Sequence, residues 1–304
     1  MERNILLDYV KIILSILVIT IHMQPLFDYG EFRGWIITHG IARVAVPIFF
    51  ITGGYYIAGK LDDVKSLKKY LKHLVIIHIV WNLIYLPTII DMIYNIKSVI
   101  LILTFGFFHL WYIPALIVGT IALFLSKKYI KDYRYILVLA FILFMIGFYC
   151  GLDNLRIYYY RNGITMAFPF IALGYCIKSR GWVAKIKNNY LIWVICIGLA
   201  ALIGESYIRY VNSNGFSPFN DFLLSLLILC PAIFIYLQKH PVMSSGKGFV
   251  AILFSGIYFL HPLVMNILGM PQTYMIYKLP LVVILSIVLS YIVYLINKRV
   301  KIFF

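Results

Sequence analysis

Asp8, Lys11, Ser15 and His22 all fall within one apolar run, ILLDYVKIILSILVITIHM, where a bilayer-spanning helix ordinarily carries almost no polar groups. At 100° per residue, Lys11 and His22 lie about 20° apart in azimuth, and Asp8 and Ser15 fall within roughly 40° of the same line. The run therefore predicts a helix with a polar stripe, and ionisable groups at membrane depth face a bundle interior or a water-filled cavity. The alternative is an Asp8–Lys11 pair at the membrane boundary, with His22 at the far end. A second segment, THGIARVAVPIFFITGGYY, puts His39 and Arg43 four residues apart on one helix face. A buried guanidinium wants an anion, a helix-to-helix ion pair or a carbonyl freed by Pro47. Further candidates are His109, Trp111 and Tyr112 in FGFFHLWYIPAL, His261 in FLHPLV, and Glu205. A neutral imidazole can take a proton from a hydroxyl near pH 7, while Arg43 or a second histidine stabilises developing negative charge. Zinc chemistry is not expected, because His-x-x-x-His on one helix is absent and no carboxylate stands at ligand spacing.

The elements that must position these groups follow from composition. The chain has 304 residues, 63% hydrophobic, 17% aromatic and 12% charged, far from the quarter of charged residues usual in a soluble domain. The expected fold class is an all-α integral membrane protein of about ten transmembrane helices. Apolar runs fall at 5–27, 35–58, 74–93, 107–125, 135–151, 163–177, 189–208, 221–238, 248–268 and 277–297, near the roughly 20-residue spanning length. With the N-terminus in the cytoplasm, nineteen of the 27 lysines and arginines sort to inner segments and six to outer ones, leaving Lys11 and Arg43 within the membrane. The positive-inside rule then puts both termini in the cytoplasm. The net charge of +16 is thus a topogenic and lipid-facing signal, and no nucleic-acid partner is expected. At a rise of 1.5 Å per residue, His22 lies roughly 25 Å from the inner face and Arg43 roughly 10 Å below the outer one. His39, His109, His261 and Glu205 fall in the same outer half.

Other features carry less. Cys150, Cys176, Cys196 and Cys230 lie in or at the ends of apolar segments without CxxC spacing, reading as small core hydrophobes. Gly53, Gly54, Ala58 and Gly59 read as packing positions, the glycine pair also as a bend. His73, His78 and His240 read as interfacial or structural. The inner loop KLDDVKSLKKYLKH suits lipid phosphates or a phosphorylated cytosolic donor. The outer segment GLDNLRIYYYRNG suits a glycan or serves as an interfacial anchor. Walker, dinucleotide-type glycine and GxSxG signatures are missing. The first run lacks a small-residue cleavage site and is expected to be retained.

Four segments resemble motifs of the acyltransferase-3 family in the same order: LDYVKIILSILVITIH, ARVAVPIFFITGGYY (similar to RxxVPxFFxxSGY), FHLWYIPALIVG (similar to HxWYL) and FLHPLV. The resemblance implies one polytopic acyltransferase domain over 1–304 with no appended soluble domain. It implies an acetyl or other acyl group moved from cytosolic acyl-coenzyme A, commonly acetyl-coenzyme A, to a hydroxyl of an extracytoplasmic or lipid-linked glycan in a bacterial cytoplasmic membrane. No metal is implied. By the same resemblance His22 is the essential histidine and Arg43 a functional arginine, while Lys11 stands where the family has Arg, keeping the charge without the bidentate fork. Lys11, Asp8 and Ser15 are then expected to position the acyl donor, with His39, His109, Trp111, Tyr112, Glu205 and His261 near the acceptor. RNGITMAFPFIALGY also resembles the membrane portion of vancomycin-resistance serine racemases, which implies transport of a small polar solute such as L-serine as the alternative, with polysaccharide export a third.

Overall fold

The structure, a computed structural model, describes residues 3–27, 30–90, 93–106, 108–152, 155–215, 221–244, 248–269 and 275–304. Lys247, residues 91–92 at the end of the third expected run, and residues 153–154 of the outer tyrosine-rich segment lie outside them. The chain is an all-α integral membrane protein, and among the described residues its helices of ten residues or more are, in chain order, α1 (Ile5–His22), α2 (Phe32–Lys60), α3 (Val64–Ile89), α4 (Ile96–Phe105), α5 (Phe108–Tyr129), α6 (Tyr133–Leu152), α7 (Gly163–Ser179), α8 (Asn188–Asn212), α9 (Leu226–Lys239), α10 (Val250–Ile267) and α11 (Ile276–Val300). A two-residue antiparallel pair, β1 (Arg3–Asn4) with β2 (Met243–Ser244), was not anticipated.

Each of the ten apolar runs coincides with a helix, and among the described residues eight are long and apolar enough to cross a membrane. Helices α7 and α9, at about 26 and 21 Å by rise per residue, are shorter than any of these eight. Several boundaries differ for physical reasons. The first run was expected to continue to residue 27, but α1 stops at His22 because Pro25 disfavours helical backbone in the residue before it. The basic inner loop is instead the opening of α3, started by Asp63, whose carboxylate accepts from the Lys65 amide at 3.0 Å and the Ser66 hydroxyl. These bonds, the Ser66 hydroxyl foremost, hold the Asp63 carboxyl below its usual range. Helix α4 lies where an outer loop was expected, nucleated by a capping box between Asn95 and Ser98.

The chain divides into two compact units, Met1–Pro47 with Val183–Ile302, and Ile48–Trp182, the last two residues being split between them. In the first, α1 packs on α10 and α10 on α11 around buried Ile19, Met23, Leu26, Leu253, Ile257, Val264 and Val282. A Cβ at Gly256 would sit 2.5 Å from the Ser290 hydroxyl, so α10 and α11 touch at nearly backbone distance. In the second unit, α7 packs on α5, on α6 and on the latter part of α2. Cβ atoms at Gly54 and Gly174 would each come within 2.0 Å of a carbonyl oxygen, of Ile171 and Ile51 respectively. Gly54 is therefore a packing glycine. Gly59 has nothing within 4 Å of its would-be Cβ and is not one. Helices α6, α8 and α11 leave most of their apolar side chains exposed or only partly buried, as lipid-facing helices do.

Candidate functional site

The stripe on α1 is directed at α10. Asp8, Lys11 and Ser15 are buried, and Ser15 donates its hydroxyl to the Phe254 carbonyl at 3.0 Å. The Lys11 ammonium stands 4.1 Å over the Phe254 ring, and the His22 ring stacks on that of His261 with centroids 5.2 Å apart and an interplanar angle of 30°. Phe254 and His261 are seven residues apart and so share one face of α10, which is why a stripe on α1 meets a stripe on its neighbour. At the inner end, Asp8 accepts from Lys11 at 2.7 Å and from Arg3 at 2.5 and 3.1 Å. The local Asp8–Lys11 pair and the shared azimuth thus coexist: Asp8 pairs with both cations and the stripe still runs from them to His22.

His261 is fully buried, and its Nδ1 lies 3.0 Å from the Ile257 carbonyl. A carbonyl only accepts, so Nδ1 carries the proton, and the neutral ring has its lone pair on Nε2. Two imidazoles stacked at 5.2 Å, one of them fully buried, cannot both hold a positive charge without mutual repulsion. The pair is suited to holding one proton, which is what general-base chemistry asks of it.

Arg43 and His39 occupy a stretch of α2 that is not regular α-helix. Ile36–Gly40 forms a π turn and Ile41–Val44 a 3-10 turn, with Gly40 at φ −120° and ψ −88° between them. Pro47 cannot donate to the carbonyl four residues back, which loosens the ladder at Arg43. Gly40 also lets α8 approach, since a Cβ there would lie 3.0 Å from the Ser206 hydroxyl. Within this stretch Arg43 donates to the buried carboxylate of Asp221 through Nη1 and to His39 Nδ1 through Nη2, the latter at 3.0 Å. His39 Nε2 meets Gln24 Oε1 at 3.2 Å, and the His39 ring stacks on Trp35 at 4.1 Å. The Trp35 indole N–H donates to the Ser206 carbonyl at 3.0 Å.

The structure therefore gathers His22 with His261, and His39 with Arg43, in the first unit, where α1 packs against the irregular stretch of α2. Glu205 does something else: its carboxylate accepts from the amides of Leu224 and Ser225 at 2.8 and 3.0 Å and from the Ser225 hydroxyl, capping the approach to α9. His109, Trp111 and Tyr112 belong to the second unit. There His109 is buried edge-on against Tyr85 with centroids 5.1 Å apart, Tyr112 stacks on Phe50 at 4.7 Å, and the Arg161 guanidinium lies 5.5 Å over Trp111. His78 is buried rather than interfacial, donating to the Leu103 carbonyl at 3.0 Å while Asn82 meets its Nδ1 at 3.2 Å. Among the described residues no group of three or more His, Cys, Asp or Glu side chains stands close enough to hold a metal ion.

Sequence reasoning missed Asp221, Gln24 and Trp35. The available signal was a lone carboxylate at the head of an otherwise apolar run, beside a buried arginine in need of an anion; nothing local joins the two across 178 residues.

Comparison with known proteins agrees with the helical motifs. The chain is 27% identical to an amino-acid racemase of Enterococcus faecalis over 97% of this chain and 47% of that protein. It is 32% identical to another amino-acid racemase of that species over 60% of this chain and 28% of the relative. It is 26% identical to a serine/alanine racemase of Enterococcus gallinarum over 86% of this chain and 40% of the relative. The chain thus spans half or less of the length of these curated relatives. No solved structure matches. The sequence profile of the acyltransferase domain matches residues 4–295, taking in both the His22–His261 pair and the Arg43 network, and the chain belongs to the acyltransferase-3 family.

Proposed function

We propose that this chain is a membrane O-acyltransferase of the bacterial cytoplasmic membrane, moving an acetyl group from cytosolic acetyl-coenzyme A to a hydroxyl of an extracytoplasmic or lipid-linked glycan. The observation that supports it most is the stacked His22–His261 pair at the end of a polar stripe that begins at Asp8 and Lys11. His22 takes the proton of the acceptor hydroxyl as its oxygen bonds to the thioester carbonyl carbon, the C–S bond breaks, and the departing coenzyme A thiolate takes that proton from His22 and leaves as the thiol. His261, with its proton fixed on Nδ1, supports that ring. The five-donor fork of Arg43 serves Asp221, His39 and the developing oxyanion together. Lys11, Asp8 and Ser15 position the donor from the inner side. His109, Trp111 and Tyr112 are the aromatic candidates for the acceptor, and Glu205 acts through the cap it forms.

Mass spectrometry of surface glycans tests this reading, using cells that express wild type or His22→Ala at matched membrane levels. An acetyl increment with wild type alone is expected; an increment that persists with His22→Ala removes His22 from the chemistry. The second reading, uptake of a small polar solute such as L-serine, rests on the resemblance to the membrane portion of serine racemases, and the relatives named as racemases, whose sequences run well beyond the region they share with this chain, agree with that resemblance. It expects saturable serine uptake into proteoliposomes with no requirement for acetyl-coenzyme A.

A further inference from the structure

We propose that His39 is a positioning residue for Arg43, held in one neutral tautomer between Gln24 and the guanidinium, and that it neither takes a proton from nor binds the acceptor. The inference rests on the assignment of Arg43 to the oxyanion. A guanidinium has only donors, so the 3.0 Å contact from Arg43 Nη2 makes His39 Nδ1 the acceptor and puts its lone pair there. The neutral ring then carries its proton on Nε2, which donates to Gln24 Oε1 at 3.2 Å. Both ring nitrogens are thus engaged, one by a cation that opposes any further proton on the ring.

The opposite arm of the fork is fixed as firmly. Nη1 is bound by Asp221, so the guanidinium plane is defined by two acceptors on two of its nitrogens, each from a different part of the chain. The ring that supplies one of them is set in turn by Trp35, stacked at 4.1 Å and tied through its indole N–H to Ser206 on α8. This matters because α2 is irregular between Ile36 and Val44. A regular helix would hold a side chain at i+4 by its own backbone, whereas a π turn running into a 3-10 turn needs side-chain anchors to fix where Arg43 points. Gln24–His39–Arg43–Asp221 is that anchor.

Two substitutions separate the roles His39 could play. His39→Gln keeps an acceptor oxygen for Arg43 and loses the imidazole; His39→Phe keeps the ring, its volume and its stack on Trp35 and loses the acceptor. Both are made in the full chain, in membranes given labelled acetyl-coenzyme A, with label in the glycan fraction as the readout. A positioning role expects His39→Gln to stay within about threefold of wild type and His39→Phe to lose about 100-fold in kcat, the scale of a 1 Å misplacement. An inactive His39→Gln would make His39 a participant in proton transfer, and a fully active His39→Phe would reduce it to packing; either overturns the proposal. Arg43→Gln separates the two layers. Full transfer with Arg43→Gln removes the assignment of Arg43 on which this rests, whereas loss with Arg43→Gln beside two fully active His39 variants overturns this inference alone. An independent arm uses 15N-histidine NMR of the full chain in nanodiscs at pH 7, with the His39 signals assigned by their loss in His39→Gln. Protonated Nε2 with bare Nδ1 is expected; protonated Nδ1, or an imidazolium, overturns it.

Discussion

Arg43 carries its charge to a place where only 5% of its side chain meets solvent, and Asp221 supplies the opposing charge with 9% of its own exposed. Taking two ions out of water costs several kcal/mol each, which their attraction recovers only with good geometry and further hydrogen bonds. Removing one partner is the severe case, since the other is left buried and charged. Asp221→Asn is therefore expected to destabilise the protein by about 3–5 kcal/mol, read as a lowered midpoint of thermal unfolding in detergent. The double variant Asp221→Asn with Arg43→Gln should unfold at a higher temperature than Asp221→Asn alone, because no charge remains stranded. Equal midpoints for the two would mean that an unpaired Arg43 charge costs the fold nothing. The Asp8, Lys11 and Arg3 group is built differently, because Arg3 remains 46% exposed and screened by water.

At the scale of elements, the helices were legible in the sequence and their irregularities were not. Long apolar runs located all of α1–α11 but one, because burying apolar surface and satisfying the backbone internally are requirements each segment meets by itself. Helix α4 escaped because its polar neighbours Asn95 and Ser98 read as loop, although they form its cap. The early end of α1 was missed, since the apolar run continues past Pro25 to residue 27; the unwinding of α2 was only hinted at by Gly40 and Pro47. The glycines separate by what they meet. Gly54→Ala and Gly174→Ala would each drive a methyl against a carbonyl oxygen, a cost at or above the about 1–3 kcal/mol of ordinary overpacking. Size-exclusion profiles of detergent extracts should show loss of the monodisperse peak for both, with Gly59→Ala unchanged. A wild-type profile for Gly54→Ala would mean that α2 and α7 do not cross in this way.

For the whole molecule, the charge sorting makes a prediction about sidedness. Single cysteines at Lys68 and Lys301, in a background with the four native cysteines replaced by alanine, should react with a membrane-impermeant maleimide only after permeabilisation, whereas one at Lys97 should react in intact cells. The reverse pattern would invert the topology, and with it the side from which the donor enters. The sequence by itself determined that this is a multi-pass helical membrane protein, where most helices lie, and that Asp8, Lys11, Ser15 and His22 share a face, because transfer energy and the 3.6-residue period are local properties. Partnership was decided by tertiary structure alone. Arg43 was legible as a cation in need of an anion, yet its choice of Asp221 depends on contacts 178 residues apart. Likewise Glu205, read as a site residue from its depth, is engaged by the backbone ahead of α9. Depth follows from counting residues along one helix, whereas azimuth and register against a neighbour arise only when the helices pack, and a π turn shifts every face beyond it.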